Sequence, residues 1–288
     1  MQKKVVLMIV LFFEFIFLGG GALGQEVPND DEGKPLYEIG VGVSLLSIPE
    51  YRGAEDSNNH VLPFPYIIYR GSFIKADGRT IRGILFSSDK IEIDLSFDAS
   101  PPVKSRANGP REGMSDLDPT FELGPNITYQ ITDNKTDLGE IKLELKLSLR
   151  RVVATDIKNY AAHGWVIHPR LNFDYLSKEG LLKDLNFGFS AGPLFGTAKY
   201  HGYYYDIDEE NRTSSRATFK SGGGYGGTRL TGTLSKRFGQ YWVGAFARTD
   251  FLGGASFEGS SLVKKRTSTM AGIGIAWVFY TSPTKVYK

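Results

Sequence analysis

The 288-residue chain contains no cysteine. That excludes a disulfide framework, thiolate metal sites and a lipid anchor on an N-terminal cysteine. Charge of one sign is also lacking: 34 Lys and Arg stand against 32 Asp and Glu, for a net +2. There is thus no basic field for nucleic acid, and no DNA- or RNA-binding motif accompanies it. Past residue 24 no apolar run approaches the ~20 residues of a spanning helix. From Leu36 onward helical periodicity is hard to find. If the mature chain lies in a membrane, closed strands must carry it, because only helices and barrels satisfy every backbone group in lipid.

What is present begins with an export signature. "MQKK" supplies positive charge, "VVLMIVLFFEFIFL" an apolar stretch broken by Glu14, and "GGGALGQ" small residues spaced for cleavage after Gly24. Residues 1–24 therefore read as a signal peptide for Sec-type export. Residues 25–35, "QEVPNDDEGKP", read as a flexible periplasmic lead-in.

Beyond the lead-in, alternation dominates. "IKLELKLSLR" puts Ile141, Leu143, Leu145, Leu147 and Leu149 on one face, with Lys142, Glu144, Lys146, Ser148 and Arg150 on the other. "KIEIDLSFD" (90–98), "TFELGPNITYQIT" (120–132), "GWVIHPRLNFDY" (164–175) and "TMAGIGIAWVFY" (269–280) repeat the pattern. Several runs outlast the usual ~5–6 residues of globular strands and match the ~9–11 of a tilted membrane strand. Together with the export signature, this predicts an all-β fold, an antiparallel transmembrane barrel over 36–280 with a C-terminal tail at 281–288.

Strands are expected near 36–46, 60–70, 72–77, 80–87, 90–98, 119–132, 139–152, 163–176, 184–200, 225–238, 240–252 and 267–280. With the first running outward, the long linkers 47–59, 99–118, 153–162, 201–224 and 253–266 all fall outside, and the short turns fall on the periplasmic side. The count is about twelve, with ten as the alternative. Tyr66, Tyr69, Tyr129, Tyr175, Tyr241 and Trp277 are expected at the periplasmic headgroups. Phe97, Phe121, Trp165, Tyr200 and Phe251 are expected at the outer ones. The charged face of 141–150 then lines the interior, where mixed signs can pair between strands and leave a plugged or narrow lumen.

Three stretches carry a family resemblance. "PEYRGAEDSNNHVLPFPYIIYRGSF" (49–73), "YHGYYYDIDEENRTSSRATFKSGGGYGG" (200–227) and "YWVGAFARTDFLGGASFEGSSLVKKRTST" (241–269) with its closing "WVFY" resemble the MipA/OmpV family, named for an MltA-interacting protein. The likeness covers roughly 36–280. It implies an outer-membrane barrel and, by its best-known member, a scaffold between a lytic transglycosylase and a penicillin-binding protein in cell-wall synthesis. Other members look like adhesins or porin-like proteins. Physically, Pro63 and Pro65 cannot donate ladder hydrogen bonds, so their strand should be bulged or weakly paired. "GGGYGG" offers backbone without bulk, suited to a close approach.

No catalytic, cofactor-binding or metal-binding residue is nominated, and no cofactor is implied. The four histidines, His60, His163, His168 and His201, all fall near proposed outer strand ends, so a rim enzyme using Asp156, Asp206 or Asp208 is one rival reading. A porin-like channel is the other. The acidic run "DIDEEN" (206–211) could meet a divalent cation and "KKR" (264–266) lipopolysaccharide phosphates, beside the lipid that any such barrel contacts. The preferred reading is a non-enzymatic barrel whose partners are cell-wall enzymes.

Overall fold

The computed structural model describes residues 33–71, 74–77, 81–107, 109–156 and 159–286. The expected signal peptide and most of the lead-in lie outside them. Among the described residues twelve strands close a barrel, each bonded to its neighbours in sequence. They are β1 (Tyr37–Pro49), β2 (Ser57–Arg70), β3 (Ile74–Asp77), β4 (Ile81–Ser87), β5 (Ile91–Ser100) and β6 (Thr120–Lys135). The second half is β7 (Gly139–Thr155), β8 (Tyr160–Ser177), β9 (Leu185–Gly196), β10 (Gly224–Phe238), β11 (Tyr241–Phe251) and β12 (Thr267–Thr281). Every pair is antiparallel, and β12 closes on β1 from Ala271–Ser47 to Thr281–Glu38. This is the twelve-stranded barrel that the alternation predicts.

Alternation decides which face meets what. Ile39, Val41, Val43 and Leu45 of β1, and Ile141, Leu145, Leu147 and Leu149 of β7, stand exposed on the outside. They form the apolar band that a bilayer covers. Tyr69, Tyr129, Tyr241 and Trp277 lie exposed towards the short-turn end, and Trp165 and Phe251 towards the long-loop end. Two expected girdle residues are not there. Tyr66 shares the even-numbered face of β2 with Phe64 and Ile68 and is buried in the lumen; both faces of "VLPFPYIIY" are apolar, so the sequence does not choose between them.

Tyr200 is the second exception, because the strand expected over 184–200 ends at Gly196. The chain turns instead into helix α1, Ala198–Tyr205, with Tyr200, His201, Tyr204 and Tyr205 buried. That spacing is helical, but tyrosine is a strand-favouring residue and hides it. Pro63 and Pro65 differ from expectation as well. They pair in register with Val43 and Val41 without a bulge, and the weak pairing lies along the opposite edge of β2.

The lumen is filled unevenly. On the β1, β2, β11 and β12 side, Leu46, Ile48, Tyr66, Ile68, Trp242, Phe246, Ala276 and Val278 form one apolar cluster. The facing wall is polar: Arg170 Nη1 donates to Ser148 Oγ (2.8 Å), Ser148 to Asn126 Oδ1 (2.8 Å) and Asn126 Nδ2 to Asp94 Oδ2 (3.1 Å). At the short-turn end the buried Glu38 carboxylate accepts from Arg70 (2.6 Å) and Arg237 (2.5 Å). Below it Lys34–Pro35 pairs with Lys285–Val286, so parts of the expected lead-in and tail meet as a two-stranded closure.

The outward face of β7 generates a direct prediction. Leu147→Arg, near mid-strand, should cost roughly 2–4 kcal/mol of stability in bilayers. The lumen-facing Lys146→Gln should cost far less. Urea unfolding in lipid vesicles reads both.

Candidate functional site

The long-loop end is covered by a lid. α1 and the loops at 50–56, 101–119 and 252–266 share a second apolar cluster that includes Tyr51, Val103, Leu117, Tyr200, Tyr204, Tyr205, Leu252 and Phe257. Tyr205 stacks on Phe257 with ring centroids 3.8 Å apart. Its hydroxyl donates to Arg52 O (2.8 Å), and the Tyr51 hydroxyl donates to Leu262 O (2.8 Å). Arg111 Nη1 donates to Tyr204 O (3.1 Å), and the Arg216 guanidinium holds Pro110 O (3.0 Å) and Glu112 O (2.9 Å). Burial raises the Tyr51 and Tyr204 hydroxyls to about 12. Both stay protonated, as the Tyr51 hydroxyl must to donate to Leu262 O.

Beneath the lid lies a cavity of about 90 Å³. Its walls carry Arg52, Arg150, Arg229 and Arg248 against Asp98, Glu122 and Asp250, with Ile48, Leu194 and Met270 supplying apolar surface. Arg229 grips Asp250 through Nε (2.8 Å) and Nη2 (3.2 Å), and Arg52 Nε stands 3.4 Å from the same carboxylate. Arg150 bonds Glu122 at 2.9 Å and stands 3.6 Å from Asp98; Arg229 stands 3.7 Å from Asp98. Charges paired in this way satisfy one another across the strands.

The four histidines do not converge. His60 sits on β2 opposite Leu46. His163 packs its ring 4.1 Å from Tyr203, and His168 is buried in the lumen wall on β8. His201 is buried on α1, where Nδ1 meets Gly222 O (2.9 Å) and Ser256 Oγ (2.8 Å). Ser256 itself donates to Gly222 O (3.0 Å), so the three groups form a closed knot. The nearby aspartates bond elsewhere: Asp206 is engaged with Ser221 N (2.7 Å) and Lys220 (3.4 Å), and Asp208 with Lys220 (2.6 Å). Lys220 thus already engages both aspartates of the acidic run. Among the described residues no group of three or more His, Asp or Glu is placed to hold a metal ion.

The family model for the MltA-interacting protein MipA matches residues 41–279, from β1 through β12. The chain belongs to the MipA family. No curated protein matches it in sequence. Solved structures to which it is loosely similar include the NanC porin, at TM-score 0.35 and 8% identity over 84% of this chain and 98% of that one. Another is the outer membrane protein OprG from Pseudomonas aeruginosa, at 0.22 and 10% over 85% and 94%. A third is a Pseudomonas aeruginosa FadL homologue, at 0.29 and 9% over 91% and 96%. With TM-scores this low, the fold rests on the chain's own strand pairing.

The blocks that carry the MipA-family resemblance include, besides strands β2, β11 and β12, the lid and its seats. "YHGYYY" is α1, and "GGGYGG" is where α1 lands. A side-chain carbon on Gly226 would lie 2.8 Å from His201 Nε2, and one on Gly223 would lie 3.0 Å from Ala198 N. The "Y-R-G" of 51–53 sends Tyr51 into the lid and the Arg52 guanidinium to Gly226 O. Sequence reasoning did not foresee the Arg52–Asp250–Arg229 group. Its members are far apart in the chain, and each sits inside an unremarkable alternating run. "KKR" is also partly committed, since Lys265 Nζ donates to Glu55 O (2.7 Å) and Arg266 meets Glu258 (2.6 Å).

The knot at His201 makes the lid sensitive to acid. Burial lowers the pKa of this imidazole, with Gly222 O pulling the other way. A histidine depressed in the folded state adds stability above its unfolded value of about 6.5 and loses it as pH falls below that. Proteolysis within 197–223 should therefore speed up as the buffer is taken from about pH 7.5 to about pH 5. Gly226→Val should loosen the same segment at every pH, at a cost of about 1–3 kcal/mol.

Proposed function

We propose that this MipA-family barrel is a non-enzymatic interaction protein that presents its periplasmic end to cell-wall enzymes. Its partners would be a lytic transglycosylase and a penicillin-binding protein, after export under the 1–24 signal. The observation that carries the reading is the occupied lumen: apolar side chains and paired charges fill it, and a lid covers the mouth. A body of that kind offers surfaces more than passage. The family description supports the choice of partner, since it names an interaction with MltA. Lipopolysaccharide contact near the exposed Lys264 belongs to the same proposal.

The short-turn end has a surface suited to docking. Leu138 lies in the turn between β6 and β7, and Leu181 and Leu182 lie in the turn between β8 and β9. Leu181 is 94% exposed and Leu138 67%. Lys178 N donates to Leu138 O (3.1 Å), which holds the two turns together. Exposed leucines grouped in this way mark contact sites.

The test is crosslinking in living envelopes, mild extraction and mass spectrometry against an unrelated barrel. Enrichment of a transglycosylase or penicillin-binding protein is expected, and its loss when Leu138, Leu181 and Leu182 are each changed to Asp. Recovery of abundant envelope proteins alone, together with conductance well above a bare bilayer, would replace this reading with the channel.

A further inference from the structure

The barrel wall has a gap in its strand pairing. Among the described residues β2 meets β3 only over Ile68–Arg70, and β4 meets β5 only where Ile84–Ser87 faces Glu92–Asp94. Above that level, among the described residues, β2 is paired with β1 alone and β5 with β6 alone. The chain between them, 71–90, is too short to climb as a hairpin to the level of Ser57. Pro63 and Pro65 fall in this stretch of β2. Proline is tolerated on an edge because the ladder on that side asks for no N–H. At the top, Arg106 of the 101–119 loop reaches across β5 to β2, with Nη2 2.7 Å from Asn58 Oδ1 and 3.3 Å from Glu50. The result is a window framed by β2, β5, the short β3–β4 hairpin and the Arg106 clasp. Val61 and Leu95 stand exposed on its outer rims.

The cavity adjoins this edge of β5: Ala99 is part of its lining and, like Leu62 and Met270, packs against the apolar cluster around Ile48. One charge in that cavity differs from the rest. Arg52, Arg150 and Arg229 each have a carboxylate within 3.4 Å. Arg248 is buried in the wall within the field of Asp98 and Asp250, but among the described residues it bonds neither directly, and its Nε lacks a hydrogen-bond partner. Ser268 Oγ, on the adjoining strand and in the same lining, is buried and unpartnered too. A buried guanidinium and hydroxyl without acceptors are costly unless a ligand supplies one.

We propose that the lumen binds a single-chain anionic amphiphile of the fatty-acid class. Its carboxylate rests on Arg248 and Ser268; its chain runs over Met270, Ile48 and Ala99 and leaves between β2 and β5 into the bilayer. The cavity volume fits this arrangement, since about 90 Å³ takes a head group and a few methylenes but not a whole chain. Neither end of the path requires the protein interaction proposed above.

The test titrates the full chain in maltoside micelles, against empty micelles, with oleate, oleyl alcohol and acetate, reading displacement of a fluorescent fatty acid. Oleate should displace the probe, with the alcohol and acetate each roughly tenfold weaker or worse, as loss of a charge-assisted bond or of apolar contact requires. Arg248→Met should weaken oleate by a similar factor. Ala99→Trp, which narrows the path and leaves every lumen charge in place, should do the same. Should Arg248→Met fail to fold, Ser268→Ala gives a smaller loss from the same contact. The proposal is overturned if oleyl alcohol equals oleate, which removes the anion site. It is equally overturned if acetate equals oleate, if Ala99→Trp leaves affinity unchanged, or if no oleate binds.

Discussion

In hydrocarbon an unpaired backbone N–H or C=O has no water to turn to, and each one costs several kcal/mol by order of magnitude. Closure of β12 on β1 answers that demand for ten residue pairs at once and gives the chain an inside and an outside. The other features follow from it. Strict alternation becomes a lipid face and a lumen face, and long strands become necessary. Loops collect at one end and tight turns at the other. Where closure is incomplete, between the upper parts of β2 and β5, the chain places two prolines and an arginine clasp.

The lumen shows a second constraint. Inward-facing positions cannot all be apolar without collapsing the barrel's polar wall, nor all charged without leaving charges unmatched. The chain groups them. Trp242, Phe246 and Tyr66 form a dry mass, while Arg52, Arg150 and Arg229 neutralise Asp98, Glu122 and Asp250 beneath the lid. The lid completes the enclosure with tyrosines, whose rings add apolar contact while their hydroxyls satisfy loop carbonyls. Glycine at 226 is the counterpart of this arrangement, because His201 occupies the space a side chain would need.

Much of the barrel was legible because alternation is a local property. "IKLELKLSLR" declares its two faces without reference to any other residue, and strand lengths with loop parity lead to twelve. Three things were not legible, for physical reasons. α1 was hidden because "YHGYYY" has strand-favouring composition and its four buried positions make sense only against Phe257 and Gly222. The inward turn of Tyr66 was hidden because both faces of β2 are apolar. The cavity was hidden because Arg52, Asp98, Arg229 and Asp250 are joined only by the wrapping of the sheet.

The sequence by itself determined the environment of the strands that carry charge on one face, since a period of two with charges on one face and leucines on the other admits one orientation in a bilayer. It also determined the family, through blocks that include the lid and its landing sites. Only the tertiary structure decided which charges pair and which one is left over. Partnership between Arg229 and Asp250 is set by the β10–β11 register, while Arg248 feels Asp98 and Asp250 without bonding either, because Arg150, Arg52 and Arg229 already engage them. Pairing of that kind falls off within a few ångströms, and a linear chain does not encode such distances until the barrel closes.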